Sequence, residues 1–524
     1  MPNLLPLLGN GETVSASIDR NLSRGDRKMH FSFHRCVLSC IAFALLNFAP
    51  DALAAAQKKP EKALEQKEVL AAMRKASDFM MNTVSTRGGF VWNYSADLSE
   101  RWGEVPARKS QIWVQGATNG VGELFHDAWK TTGDSIYLGY ARRVAEAIVW
   151  GQHPEGGWHY LIDFDMPGIQ KWYNDVGSKC WGWEEYYHYY GNCTFDDETT
   201  SSSCQYLLDL YMATLDPVLL TPLMKGLNFV LEAQYPNGGW PQRYPLRYEY
   251  THDGLADYTS YYTFNDGVIP NNIFLLIDAW EKLGDEQYIK AARRGMDFYL
   301  LSQGPEEQAG WSAQYNMNIQ PAQARSYEPA AWSTQITVGC LRDLEQFYMI
   351  TGDRRYLCPI PLAIRWLENS IINRDPSKKY THGRFLEVGT NKPLVAHRKG
   401  TTMENGRYWV DYNLENPITH MGMTAQIDCE RLKAAYEKVK AMSPQEARAS
   451  YHARKKRAEK RPASDPETVK KLIQSMDPRG AWVTSITIPN YSDPITSPRR
   501  QVQGISTGGF ISNMEKLMGY VSEP

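Results

Sequence analysis

The chain has 524 residues and almost no net charge, because 57 Lys plus Arg stand against 59 Asp plus Glu. That balance leaves no global field to gather nucleic acid. Cysteine is scarce at 8 residues, with no C-x-x-C pair and no Cys/His spacing of a zinc site. There is no EF-hand loop. One stretch alone, Cys36 to Phe48 (CVLSCIAFALLNF), is apolar enough to interest a bilayer, and it is too short to span one. Disorder and collagen-like structure are excluded by 43% apolar and 22% charged residues. What the chain has in quantity is aromatic side chains, 16 Trp and 31 Tyr among them. Such rings fill cores, and they also stack on sugars.

The apolar stretch follows Arg35 and precedes Ala52-Leu53-Ala54, an A-x-A site. It reads as a secretory signal peptide, with Met29 as the expected start and cleavage after Ala54 or Ala56. The mature chain is expected to be secreted or periplasmic, monomeric and without stable membrane association. Six Cys remain in it. Cys180 and Cys193 bracket an aromatic loop, and either a disulfide or buried free thiols fit there. The expected organisation is an extension and signal peptide over 1–56, then a linker and first helical segment over 57–110. The main domain, 111–439, follows, and a basic helical linker with a strand- and loop-like tail over 440–524 is expected to pack back on it. The basic run His452–Arg461 (HARKKRAEKR) reads as a solvated helix face, with contact to an anionic polymer as the alternative.

A pattern recurs through residues 110–370. Each unit opens with a polar loop, continues as two helices, and closes with Gln, a Gly turn and Trp. Ala117-Thr118-Asn119 leads to Gln152 and Gly156-Gly157-Trp158. Thr194-Phe195-Asp196-Asp197 leads to Gln234 and Gly238-Gly239-Trp240, and Thr263-Phe264-Asn265-Asp266 leads to Gln303 and Gly310-Trp311. A fourth helical pair, 333–371, opens after Arg325. Ile273, Leu276, Ile277 and Trp280 fall on one helix face, as do Ala292, Met296, Tyr299 and Leu300 on the next. Fixed-period helical pairs mean repeats. The expected fold is mainly α: an α/α toroid, complete or incomplete, of helical hairpin repeats. A smaller strand- and loop-rich part begins near 372.

Loops at helix starts are where a rigid ring carries function. Asp196, Asp197 and Asp266 sit at equivalent points of two repeats. Hard oxygen donors without His or Cys suit Ca²⁺ in an open site completed by water and substrate. Helix N-capping, or the acid/base pair of a glycosidase, are the other readings of these carboxylates. Arg325 lies just before the fourth pair, with Glu328 nearby as an ion-pair partner. Arg384 and Arg398 bracket an expected hairpin. Guanidinium groups match carboxylate forks, so the set describes a site for an acidic sugar.

The strings GGWPQRYP (238–245), YTFNDG (262–267), AQARSYE (322–328) and GRFLEVGTNKPLVAHRKG (383–400) resemble the pectate lyases of polysaccharide lyase family ten. TFDDETT (194–200) resembles that family's DN-containing loop, with Asp197 where Asn is usual. The resemblance implies an α/α toroid with a groove that binds polygalacturonate, or a related uronic-acid polysaccharide, through Ca²⁺. It implies Asp196, Asp197 and Asp266 at the metal, Arg325 as the base, and Arg384 and Arg398 on the substrate. Tyr327 is the alternative base. The tracts 180–190 and 247–260 look inserted, Pro329-Ala330 replaces Leu-Pro, and Gly267 replaces a polar residue. The expected function is a Ca²⁺-dependent pectate lyase acting by β-elimination, with an alkaline optimum. An inverting glycoside hydrolase, with Asp196 and Asp266 as its carboxylate pair, and a non-catalytic glycan-binding protein are the alternatives.

Overall fold

The computed structural model describes residues 64–177, 189–247, 257–375, 380–398, 408–418, 421–458, 460–489 and 499–522. The leader and Cys180 lie outside these residues; Cys193 is a free, buried thiol.

A first helix, α1 (Gln66–Phe79), precedes four helical hairpins. They are α2 (Asn119–Thr132) with α3 (Ser135–Trp150), α4 (Thr199–Thr214) with α5 (Pro217–Glu232), α6 (Val268–Leu283) with α7 (Glu286–Ser302), and α8 (Thr334–Thr351) with α9 (Ile360–Asn369). Then come α10 (Cys429–Lys440), α11 (Pro444–Ala458), α12 (Pro466–Gln474) and α13 (Thr507–Val521). The tight hairpins have a local cause. Gly133, Gly284 and Gly352 end the first helix of their pairs in the left-handed region. The Asp that follows each of them, Asp134, Asp285 or Asp353, accepts a backbone N–H two residues on and starts the next turn. In the second hairpin Leu215 takes the left-handed position at φ 51° and Asp216 caps α5.

The first helices of the hairpins stand side by side. α13, α2, α4 and α6 pack in that order, and α8 follows through the Phe274–Phe347 ring contact at 5.9 Å. α1 packs on α13, and α3, α5, α7 and α9 pack on their hairpin partners. This is an incomplete α/α toroid. α13 corrects the reading of the tail as strands and loops. Gly508 and Gly509 mask its start, but Ser506 caps it, and Phe510, Met514, Leu517, Met518 and Val521 bury one face.

The Gln…Trp turns are structural rivets. The Gln152 side chain donates to Gly156 O and to Pro222 O of the next unit, at 2.7 and 2.9 Å. Gln234 bonds Gly238 O and Ala291 O, and Gln303 bonds Ala309 O and Pro359 O, in the same way. Trp158, Trp240 and Trp311 are fully buried, and each indole N–H donates to the carbonyl of Ile148, Val230 or Tyr299 in its own second helix. Gly238, at φ 100°, lies so close to Arg294 that a Cβ there would fall 1.9 Å from its carbonyl oxygen.

Each turn returns the chain to the face where its unit began. Strand 111–113 pairs with 161–163, 193–194 with 243–244, and 262–263 with 314–315. The N-terminal ends of α4, α6 and α8 therefore share one face with these strands. A five-stranded sheet beside α8 runs 408–411, 393–398, 385–387, 331–333, 311–312. Its 385–387/393–398 pair is the expected hairpin.

The basic run does not face solvent alone. α11 packs on α8, Lys455 pairs with Asp278 and Glu281 of α6, and Arg461 reaches Asp127 of α2 at 2.8 Å. All three acids lie toward the C-terminal ends of their helices, so this segment straps the toroid on the face away from the carboxylate loops. Among the described residues no helix is long and apolar enough to cross a membrane.

Candidate active site

The loops before α4 and α6 have the same backbone. Asp197 (φ 48°, ψ 37°) and Glu198 (φ 63°, ψ 10°) repeat Asp266 (φ 49°, ψ 26°) and Gly267 (φ 73°, ψ 15°). Left-handed residues bend the chain sharply and aim both carboxylates off the helix axis. Neither helix start has a side-chain cap. The Asp residues are therefore not there to cap, unlike the Asp residues at the opposite end of the hairpins.

Asp196 is buried and its oxygens are taken. Gln242 Nε2 donates to Oδ1 at 3.0 Å, while Tyr160 Oη and Arg325 Nη2 donate to Oδ2 at 2.6 and 3.0 Å. Arg325 Nη1 donates to Asp266 Oδ2 at 3.4 Å and to both oxygens of Glu328 at 3.3 Å. A turn from 325 to 328 holds the pair, since Glu328 N donates to Arg325 O at 2.8 Å. Asn265 Nδ2 bridges Asp266 and Glu328. Gln115, from the matching loop of the first unit, donates to Asp197 Oδ2 at 3.2 Å. The structure thus brings Asp196, Asp197, Asp266 and Arg325 together and adds Glu328.

This is a crowd of carboxylates. Burial pushes the Asp197 carboxyl well above the usual carboxylate range, and the charges of Asp266, Asp196 and Glu104 add to the rise. Asp266 is raised well above it too, by burial first and then by Asp196. Asp196 and Asp266 are joined by one guanidinium, Arg325 Nη2 on the first and Nη1 on the second.

Among the described residues no group of three or more His, Cys, Asp or Glu is arranged as a metal cage. Asp196 is engaged by three donors and offers a cation little. Asp197 and Asp266 fit a different description: two crowded carboxylates that an added positive charge would relieve.

Arg384 sits beside the start of α8, where Thr334 N donates to its carbonyl oxygen. Its guanidinium lies 3.5 Å from Gly422 O and over the Phe385 ring at 5.6 Å. The backbone of Arg398 pairs with Tyr408, and its side chain lies outside the described residues. Tyr327 is buried in a small second core with Phe385, Val395 and Met423. Tyr160 is a tyrosine on the carboxylate cluster, through its bond to Asp196. Sequence reasoning missed Tyr160 and Gln242, although both stand two residues after a repeat Trp, Trp158 and Trp240.

The sequence model of the pectic acid lyases matches residues 152–416, half of the chain. The chain belongs to the pectic acid lyase family. It is a polysaccharide lyase, and the cluster around Arg325 falls within the matched stretch. Among solved structures, the lyase is similar to the family 10 polysaccharide lyase from Cellvibrio cellulosa, at 20% identity over 62% of this chain and 98% of that one, with a TM-score of 0.41. A mutant of that enzyme in complex with trigalaturonic acid gives the same TM-score at 19% identity, with the same coverage. An unsaturated glucuronyl hydrolase specific for heparin matches at 11% identity over 87% of this chain and 96% of its own, with a TM-score of 0.38. No curated protein sequence matches the lyase.

Proposed function

We propose that this lyase is a secreted, calcium-dependent pectate lyase that cleaves polygalacturonate, or a closely related uronan, by β-elimination, with Arg325 as the base. The observation that carries the reading is the placement of Arg325, whose one guanidinium spans Asp196, Asp266 and Glu328 at the convergence of two repeat loops.

The reaction removes the C5 proton of a uronate, α to its carboxylate, and expels the C4 oxygen. That proton is weakly acidic while the carboxylate stays anionic, so positive charge beside it is the main catalytic need. Asp197 and Asp266 would hold Ca²⁺, whose charge, when bound, stabilises the enolate-like intermediate. Asp196, Glu328 and Asn265 orient the Arg325 cluster. Tyr160 and Gln242 hold Asp196 in turn. Arg384 and Arg398 bind substrate carboxylates. The uncapped starts of α4 and α6 add partial positive charge to the same face.

The alternative of an inverting hydrolase needs one carboxylic acid and one carboxylate free to serve the scissile bond and a water, whereas Asp196 and Asp266 share the Arg325 guanidinium and Asp196 is further engaged by Gln242 and Tyr160. The test is polygalacturonate with Ca²⁺, followed at the ultraviolet band of 4,5-unsaturated uronates. A rising band that chelator silences is expected. New reducing ends without the band would overturn elimination, and full activity in excess chelator would overturn the metal.

A further inference from the structure

We infer that Arg87 and Trp150 form a remote uronate-binding subsite, at the outer end of the strand pair that leads away from the carboxylate cluster. The inference rests on the uronan reading above and extends it to sugars that are held but not cleaved.

The mount is rigid. The turn after α1, Arg87-Gly88-Gly89-Phe90, has the form of Glu155-Gly156-Gly157-Trp158 and Asn237-Gly238-Gly239-Trp240. Thr86 and Gly89 exchange two backbone hydrogen bonds of 2.9 Å. A Cβ on Gly88 would fall 2.3 Å from Arg143 O, so the turn is pressed against α3. Arg87 stands at its tip with φ 50°, a region that arginine rarely adopts. Its guanidinium lies over the Phe164 ring, 4.9 Å from the centroid, and 6.0 Å from the centroid of Trp150. The two rings touch, with centroids 4.6 Å apart. Trp150 is the last residue of α3 and is 46% exposed.

The chemistry of the patch selects a charged sugar. A guanidinium stacked on rings spends its flat face, while its N–H donors lie in the plane and stay available. Among the described residues Arg87 donates no hydrogen bond and pairs with no carboxylate. The acids of the adjoining strand are taken, because Asp163 and Asp165 both pair with Arg108. Lys109 is exposed and adds a second cation with no acidic partner among the described residues. Glu146, one turn before Trp150, is the single acid of α3, and the two cations outweigh it. A fork of unused donors beside an exposed indole suits a uronate: the carboxylate meets Arg87 and the sugar face meets Trp150.

The strand pair ties the patch to the cluster. Tyr160, whose hydroxyl holds Asp196, and Phe164 stand at the two ends of strand 161–163. The ladder runs on past both ends, since Val114 N donates to Tyr160 O at 2.8 Å and Phe164 N to Ser110 O at 2.9 Å. Four residues apart in extended chain, Tyr160 and Phe164 share one side of the strand. At ~3.4 Å per residue they are about 14 Å apart. A long polymer seated on the cluster has sugars that reach this distance, and the shortest oligomers do not.

The test reads binding without turnover. In chelator the cluster stays anionic, so retention by polygalacturonate reports binding elsewhere on the molecule. Wild type, Arg87→Gln, Arg87→Lys and Trp150→Ala are run by affinity electrophoresis through polygalacturonate and through fully methyl-esterified galacturonan. Arg87→Gln should weaken retention by polygalacturonate roughly two- to fivefold, the range of one exposed charge contact, and leave retention by the esterified polymer unchanged. Arg87→Lys should recover part of the loss. Trp150→Ala should weaken retention by both polymers roughly two- to tenfold, the range of one aromatic contact. With calcium, both losses should appear as a higher KM on the long polymer at unchanged kcat, and vanish on the shortest oligogalacturonates that are cleaved. Unchanged retention in Arg87→Gln and Trp150→Ala, or a KM increase that is the same at every chain length, overturns the subsite and leaves the lyase reading intact. A wild type that cleaves no galacturonan overturns the pectate lyase reading, while the retention experiment, which needs no turnover, still decides the subsite.

Discussion

Asp197→Asn should make the apo-protein more stable and its calcium affinity weaker. Two like charges ~5 Å apart at an effective dielectric of ~20 repel by about 3 kcal/mol. Asp197 faces Asp266, Asp196 and Glu104, with Arg325 as the cation that offsets them. After that offset, and with the carboxylate partly open to solvent, a net relief of ~1–2 kcal/mol is a fair expectation. The sign follows from linkage. The folded Asp197 carboxyl is raised above its unfolded value, so the fold holds that proton more tightly. Its contribution is fully present below the ordinary carboxylate pKa and is lost as pH rises through the raised folded one. Thermal melts in chelator from pH 4 to 8 should therefore fall more steeply with pH in the wild type than in Asp197→Asn. Asn also tolerates the left-handed backbone well, and a difference that persists at pH 4 measures that part. At neutral pH, Ca²⁺ should raise the wild-type midpoint by more than the variant's. Parallel pH profiles with equal calcium increments would show that the carboxylates do not crowd and would remove Asp197 from the metal site.

Other perturbations separate the remaining roles. Arg325→Lys keeps a cation but loses the two-pronged span of Asp196 and Asp266, so kcat should fall by orders of magnitude while substrate binding survives; turnover close to wild type would pass the base role elsewhere. Tyr160→Phe removes the 2.6 Å bond to buried Asp196 and should cost ~1–3 kcal/mol, seen in kcat more than KM, and an unchanged kcat would confine Tyr160 to packing. Glu198→Gly gives the left-handed position the residue that the next repeat uses and should raise the melting midpoint by the equivalent of about 1 kcal/mol; a lower midpoint would mean the exposed carboxylate makes a stabilising contact. Arg384→Ala should raise KM by the equivalent of ~1–3 kcal/mol with little change in kcat, and a collapse of kcat alone would place Arg384 at the transition state.

The ring was legible because its repeats carry residues with fixed structural jobs. Each Gln bonds its own turn and the next unit, and each Trp plugs a hairpin, so neither can drift without loosening two units. The connections carry a signal that the sequence analysis did not use: Gly133-Asp134, Gly284-Asp285 and Gly352-Asp353 are stop and start signals in two letters. α13 was not legible, since Gly508-Gly509 dilute its first turn and its face is completed by contacts with α1 and α2, far away in sequence. At the site, repeat position singled out Asp196, Asp197 and Asp266, but their division of labour depends on who donates to whom. The repeat alignment already sets Asp196 against Asn265 and Asp197 against Asp266, but only the fold shows that Asp196 receives Gln242, Tyr160 and Arg325. Tyr160 and Gln242 arrive beside return strands whose pairing no local pattern states, even though the place two residues after Trp158 and Trp240 marks where they emerge.

The same bonds impose an order on the chemistry. Three carboxylates around one guanidinium favour its charged form, which is the wrong form for a base. Arg325 is held by Asp196, Asp266 and Glu328. Positive charge delivered to Asp197 and Asp266 weakens one of those three holds and brings a competing cation close to Arg325. On the proposed reading, metal and base are then not independent parts. Loss of Asp266 should uncouple them, because it touches both. In Asp266→Asn the rate should depend less on calcium and its rise with pH should begin at a different pH from that of the wild type, as Arg325 keeps Asp196 and Glu328 but loses the shared partner. Measuring the pH profile at several calcium concentrations checks this: the wild-type profile should shift as calcium is raised, and the Asp266→Asn profile should stay in place. A wild-type profile that ignores calcium would break the coupling argument, whatever residue proves to be the base.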